Sequence, residues 1–138
     1  MPETAARTIL AFDFGIKRIG VAVGEPEVRT AHPLPGIAAA GDARFAAIGR
    51  LVAQWRPARL VVGLPLAANG SPHDTTQRAM RFARQLRGRF RLPVELVDER
   101  YTSVEATQRL RGRRPPKLAI DSVAAQLILE QYFDERAA

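Results

Sequence analysis

The chain has 138 residues, of which 46% are hydrophobic, and its formal net charge is +7. This length and apolar content suit one folded domain over residues 1–138 and argue against a disordered chain. Cysteine is absent, which excludes disulfide bridges and thiolate metal sites. No apolar run reaches the roughly 20 residues that a membrane helix needs, and the N-terminus lacks the basic-then-apolar order of a secretory signal. We therefore expect a cytoplasmic protein with no membrane partner.

The positive charge comes almost entirely from arginine. Of the 21 basic residues, 19 are Arg, and Arg binds phosphate in a bidentate manner more readily than Lys does. A high-GC genome would also explain Arg in place of Lys, but it would not explain the excess of positive charge. The composition therefore favours an anionic partner and, among such partners, nucleic acid.

The first half of the chain reads as three strands, a helix and a fourth strand. The third strand carries Pro33 and Pro35, which are tolerated at the edge of a sheet. Apolar residues at helical spacing, Ile48 and Leu51 among them, precede the helix stop at Pro57. The expected ranges are strands over 9–14, 19–24, 29–38 and 59–63, and a helix over 43–55.

The second half predicts a helix that starts near Ser71 or Asp74 and ends near Arg89. A strand follows over 93–97, and the capping box Thr102–Glu105 indicates the start of another helix. A basic loop over 111–117 then leads to a final helix over 119–133. The order β-β-β-α-β-α-β-α-α indicates a mixed sheet with helices on its faces.

An aspartate, Asp13, interrupts the apolar run that begins at Thr8. A buried carboxylate is costly unless it is paired or coordinates a metal. The alternative interpretation is an aspartate that shapes the turn before Gly15.

Two further acids occupy unusual positions. Asp98 and Glu99 follow the last strand. If the strand continues through them, adjacent residues point to opposite faces, so only one of them can face a given site. The alternative interpretation is an exposed acidic strand end. Asp121 falls within the apolar arc of the final helix, although it could also serve as a helix-capping residue.

Carboxylates gathered from separate elements repel one another unless a cation lies between them. An oxygen-only ligand set suits Mg²⁺ or Mn²⁺. Two such ions can activate water and stabilise the leaving oxygen in phosphodiester cleavage. Acids that hold metal, on a basic protein that attracts a polyanion, indicate a nuclease.

Four sequence blocks resemble the YqgF/RuvX family, which belongs to the RNase H-like superfamily and is related to the RuvC resolvases. They are DFGIKRIGVAVGE, VVGLPLAANGS, VDERYTS and DSVAAQLILEQYF, and they extend the resemblance from about Thr8 to Phe133. The resemblance implies an α/β fold with a five-stranded mixed sheet in the order 3-2-1-4-5, the second strand antiparallel, flanked by helices.

The resemblance also implies that Asp13, Glu99 and Asp121 are the catalytic, metal-binding acids. It implies a cytoplasmic nuclease that processes the 5′ end of pre-16S rRNA in ribosome biogenesis, with Mg²⁺ or Mn²⁺ as cofactor. The alternatives are a Holliday-junction resolvase acting on branched DNA and a non-catalytic RNA-binding assembly factor. RNA is the favoured substrate, and the sequence gives no sign of the oligomeric state.

The chain departs from the wider superfamily at the end of its fourth strand. Relatives often carry an acid there, whereas this chain reads Val62-Gly63-Leu64-Pro65. The role of that second acid would pass to Glu99, whose longer side chain helps its carboxylate to reach the metal site. Ala68 also replaces an acid that is frequent in the family, at a loop position where little effect on chemistry is expected.

Several basic residues are candidates for contact with nucleic acid. Helix arginines would give a salt-dependent contact to the phosphate backbone, although the exposed face of a surface helix would look the same. Aromatic residues make up only 7% of the chain, so a base-stacking platform is not evident. The candidates are Lys17, Arg18, Arg81, Arg84, Arg100, Arg113 and Arg114.

Two enzyme classes share short motifs with this chain. The DFG triplet occurs in protein kinases, but the chain is too short and lacks their Gly-rich loop and HRD motif. Actin-like ATPases open with a similar Asp-Gly hairpin, but they need two such domains around the nucleotide.

Overall fold

A computed structural model of the chain describes residues 8–15, 17–38, 40–65, 74–98 and 117–137. The strands are Ile9–Asp13 (β1), Ile19–Glu25 (β2), Thr30–Ile37 (β3), Arg59–Leu64 (β4) and Val94–Asp98 (β5). The helices of these ranges are Asp42–Trp55 (α1), Asp74–Phe90 (α2) and Lys117–Ala137 (α3), with side chains of α3 described from Ser122 to Arg136. The predicted elements in these ranges are confirmed within a few residues at each end. The helix expected from Thr102 lies outside the described residues.

The five strands form one sheet in the order β3-β2-β1-β4-β5. β2 is antiparallel to β1 and β3, whereas β1, β4 and β5 run parallel. The expected order and strand directions are therefore confirmed. β3, with Pro33 and Pro35, lies at an edge, where a missing N–H donor costs least.

The two faces of the sheet follow from the period-two alternation of β1. Leu10 and Phe12 pack with α1 and α2, whereas Ile9 and Ala11 pack with α3. The same alternation assigns Asp13 to the α3 face and agrees with the packing of Phe14 on the α1–α2 face. Asp13, the last residue of β1, and Phe14, the residue after it, thus belong to opposite faces of the sheet.

α3 lies close to the sheet because small residues lie beneath it. Ala11, Ala22 and Ala31 belong to the buried cluster that includes Leu129 and Phe133 of the helix. Polar contacts fix α3 at several points, including a 2.9 Å bond from Gln126 Nε2 to the carbonyl oxygen of Ala31. Among the described helices, none has the length and apolar character to span a membrane.

Candidate functional site

Asp13 is the last residue of the central strand β1 and is half-buried. Its cross-strand partner in β2 is Gly20. On the other side, β4 pairs Val62 with Phe12, so the next β4 residue beside Asp13 is Gly63. The neighbouring strand positions on both sides therefore contribute no side chain beside this carboxylate.

β5 has the same alternation as β1. Val97 packs in the buried cluster under α3, and Glu95, two residues earlier, contacts Tyr132 of α3. Asp98 ends the strand, and its backbone carbonyl accepts a 3.0 Å hydrogen bond from Gln131 Nε2. By alternation, the Asp98 side chain belongs to the face opposite Val97. The predicted site residues Glu99 and Arg100 lie outside the described residues.

Asp121, the third predicted acid, lies within α3, and its side chain is not among those described. The apolar arc expected around it is confirmed for its described members, since Ala125, Ile128 and Tyr132 are all buried against the sheet. α3 therefore packs on the face of the sheet to which Asp13 is assigned.

Ser122, the residue after Asp121, is buried and fixes this part of α3. Its hydroxyl donates a 2.6 Å hydrogen bond to the carbonyl oxygen of Leu34 and accepts one of 3.4 Å from the backbone N–H of Val21. Both hydrogen bonds lie at an irregularity of the β2–β3 pairing, where Ile19 pairs with Ile37 but Val21 pairs with Leu34.

Within the described residues, no group of three His, Cys, Asp or Glu side chains is arranged to hold a metal ion. Two of the three predicted acids, Glu99 and Asp121, have side chains outside that set, so the assembly of the three acids stays a prediction. Asp13 is the member whose side chain lies among those described.

The basic candidates near Asp13 occupy the connection between β1 and β2. Lys17 is exposed and Arg18 is half-buried. A side chain at Gly15 would clash with the carbonyl oxygen of Arg18, so the tight turn itself requires a glycine there. Arg113 and Arg114 lie outside the described residues.

The arginines of α2 have different environments. Arg87 Nη2 donates a 3.0 Å hydrogen bond to the carbonyl oxygen of Val94. The guanidinium of Arg89 lies 4.1 Å from the ring centroid of Phe45, and its Nη2 is 3.5 Å from Asp42 Oδ1. Arg81 and Arg84 are exposed. Arg87 and Arg89 thus have structural partners, which sets them apart from Arg81 and Arg84 of the same helix.

A cleft that the sequence did not reveal opens between α1 and α2, beside Phe14. Its wall includes Phe14, Phe45 and Phe82, and its polar lining is Arg44, Arg78, Arg81 and Gln85. Arg44 comes from α1 and the other polar residues from α2. No local motif joins these residues, so only the packing of the two helices could have identified them.

The five-stranded sheet and its flanking helices resemble the folds of solved resolvase structures. The fold is similar to that of Thermus thermophilus RuvC bound to a Holliday junction, with a TM-score of 0.58, 16% identity and 96% of each chain covered. It is also similar to the Fowlpox virus resolvase, with a TM-score of 0.58, 11% identity, and 95% of this chain and 99% of that chain covered. The protein therefore has the RNase H-like fold.

Sequence comparison is more specific. The RuvX family, described as Holliday junction resolvase, matches residues 7–135. A Burkholderia mallei (strain SAVP1) protein is 56% identical over 128 residues, covering 92% of this chain and 88% of that protein, and one from Methylobacillus flagellatus is 53% identical over the whole of both chains. Both carry the name "Putative pre-16S rRNA nuclease". The chain belongs to the RuvX family.

Proposed function

We propose that this protein is a metal-dependent nuclease that hydrolyses a phosphodiester bond in pre-16S rRNA, at its 5′ end, during ribosome biogenesis. Membership of the RuvX family and the names of relatives at 53–56% identity support the reaction and the RNA substrate. Such a role would place the protein in the cytoplasm.

The observation that carries the proposal is the location of Asp13. It ends the central strand on the face of the sheet that α3 covers, and it lies between Gly20 and Gly63. Because both neighbours are glycines, no neighbouring strand side chain lies beside the Asp13 carboxylate on that face. A structural turn residue would not need this arrangement on both sides.

We propose Glu99 and Asp121 as the other two catalytic acids. Glu95 and Val97 belong to the α3 face, and the period-two rule predicts the same face for the residue after Asp98. Asp121 belongs to the helix that covers this face. These relationships support convergence of the three acids on one side of the sheet.

The chemistry of these donors fits a hard divalent cation, because they are all carboxylates and the chain has no cysteine. Mg²⁺ or Mn²⁺ would be held by Asp13, Glu99 and Asp121. A bound ion of this kind supplies Lewis-acid stabilisation of phosphoryl oxygens and lowers the pKa of a coordinated water. The carboxylates would fix the ion against the substrate, and Lys17 and Arg18 beside Asp13 would neutralise phosphate charge.

The test is cleavage of a precursor-rRNA 5′ fragment with Mg²⁺, with Mn²⁺ and with a chelator. Wild-type protein is expected to cut only with metal, and Asp13→Asn is expected to lose at least about a hundredfold in rate, the range found when an important electrostatic group is removed from an active site. Asp134→Asn is the matched control, because Asp134 is an exposed acid that pairs with Arg29 in the β2–β3 turn.

Substrate choice is tested in the same assay with single-stranded RNA, duplex DNA and a four-way DNA junction. Preferential cutting of the junction would replace the rRNA role by resolvase activity. Equal cleavage by wild type and Asp13→Asn would remove Asp13 from the reaction. Retention of RNA by both proteins without any cleavage would indicate a binding factor instead.

A further inference from the structure

The α1–α2 cleft has a volume of about 240 Å³ and lies directly beside the proposed catalytic strand end. Sites that enclose a whole small molecule usually measure roughly 300–1,000 Å³. The cleft is therefore better suited to part of a longer ligand than to a free metabolite.

One wall of the cleft is an aromatic cluster. Phe82 is almost fully buried, and its ring centroid lies 5.0 Å from that of Phe14 and 6.0 Å from that of Phe45. Phe14 is only partly buried, so it presents apolar surface to the cleft. The Arg44 guanidinium lies 5.3 Å from the Phe14 ring centroid, which adds a planar cation to this wall.

The rim of the cleft is cationic. Arg78 and Arg81 line it from the exposed side of α2, one turn apart, and neither forms a hydrogen bond or ion pair with another residue of the described ranges. The lining of the cleft contains no carboxylate, and Gln85 adds an amide that can both donate and accept. Aromatic surface with a rim of arginines is the combination that binds single-stranded nucleic acid.

The cleft and the proposed catalytic centre are joined by one peptide bond. By strand alternation Asp13 belongs to the face that α3 covers, and the next residue, Phe14, contributes to the cleft on the opposite face. Consecutive Cα atoms are about 3.8 Å apart, so a strand cut beside Asp13 would pass over the end of β1 and reach Phe14 within the neighbouring nucleotides.

We propose that this cleft holds an unpaired nucleotide of the RNA substrate that flanks the scissile phosphate, with its base against Phe14 and its phosphates at Arg78 and Arg81. This inference rests on the proposed nuclease function and adds the form of the substrate: the strand must be single-stranded on the cleft side. A base inside a duplex is stacked and paired, and its face is not available to an aromatic side chain.

The test measures binding by fluorescence anisotropy in an Asp13→Asn background with a chelator present, so that cleavage does not interfere. The probes are a single-stranded RNA and the same sequence as a blunt duplex. Arg78→Ala and Arg81→Ala are each expected to weaken single-strand binding and to lower the slope of log K against log salt by about 0.7, the value for one phosphate contact on a single strand. Phe14→Leu is expected to weaken single-strand binding about tenfold without changing the slope of log K against log salt.

Arg50→Ala is the matched control, because Arg50 is an exposed arginine of α1 that does not line the cleft. It removes the same charge and should leave the affinity unchanged. An equal loss from Arg50→Ala, or an equal loss for the duplex probe, would overturn the proposal. Losses from Arg84→Ala as large as those from Arg81→Ala would also overturn it, because they would indicate a backbone track along α2.

Thermal melting of each variant keeps the result interpretable. If Phe14→Leu melts early, the two exposed arginine variants decide the question by themselves. Metal-dependent cleavage by the wild type is measured separately, so the nuclease proposal can fail while the binding pattern holds. If the wild type cleaves RNA but the cleft variants bind single-stranded RNA as tightly as the parent protein, the cleft proposal is wrong and the nuclease proposal stands.

Discussion

The Ser122 hydroxyl lies 2.6 Å from the carbonyl oxygen of Leu34, and this hydrogen bond joins residues 88 positions apart in the chain. It connects α3 to the edge strand β3 at the irregular β2–β3 pairing. Because Asp121 precedes Ser122, the same bond fixes the helix beside a proposed catalytic acid.

Ser122→Ala should lower the free energy of unfolding by about 1–3 kcal/mol, because it removes the acceptor of the buried Val21 N–H and the donor to the half-buried Leu34 carbonyl. It should also slow cleavage, since the backbone before Ser122 carries Asp121. Denaturant unfolding and single-turnover cleavage, measured with saturating metal, check the two effects. A stability loss with an unchanged cleavage rate would show that the bond holds the fold and does not position the acid.

Tyr132→Phe is the companion variant on the same helix. The Tyr132 hydroxyl donates a 2.9 Å hydrogen bond to Glu95 Oε2, the oxygen that also lies 2.7 Å from Arg59 Nη1, and Arg136 pairs with the other oxygen of Glu95. This cluster of Tyr132, Glu95 and Arg59 is partly buried and lies near the first residues of β4 and β5, at the other end of the sheet from Asp13. We expect a stability loss of about 1 kcal/mol and an unchanged cleavage rate at a temperature where both proteins are folded.

Gly24→Ala should destabilise the protein by about 1–3 kcal/mol through overpacking. A methyl group at Gly24 would clash with the carbonyl oxygen of Thr30 and would lie 3.1 Å from both Leu129 Cδ2 and Phe133 Cε2. Gly88→Ala provides the opposite case, because Gly88 is in α2 and a methyl group there meets nothing within 4 Å. It should stabilise the helix by roughly 0.5–1 kcal/mol. Thermal unfolding of both variants measures the contrast, and a stabilised Gly24→Ala would contradict the close packing of α3.

Arg87→Ala separates structural arginines from those proposed to bind RNA. Arg87 donates to the Val94 carbonyl, so its loss should lower stability by about 1 kcal/mol. We expect the affinity for single-stranded RNA to stay close to that of the parent protein, unlike that of Arg81→Ala. An affinity loss as large as that of Arg81→Ala would mean that the whole helix surface binds by charge alone.

Local patterns were sufficient to predict the strands and helices of the described ranges. Proline in β3 indicated an edge strand, and the helical spacing of Ile48 and Leu51 indicated the core-facing side of α1. These predictions succeed because strand and helix periods are set by neighbouring residues and are visible in short windows. The position of Asp13 at the end of an apolar strand was visible for the same reason.

The sequence by itself thus determined the elements of the described ranges, the strand that carries Asp13 and the excess of positive charge. Tertiary structure decided which arginines have structural partners and which line the cleft, since Arg44 and Arg81 are brought together only by the packing of α1 against α2. It also decided that Ser122 reaches Leu34 and that glycines flank Asp13. The physical reason is that these relationships depend on contacts between distant parts of the chain, which no period within a single element encodes.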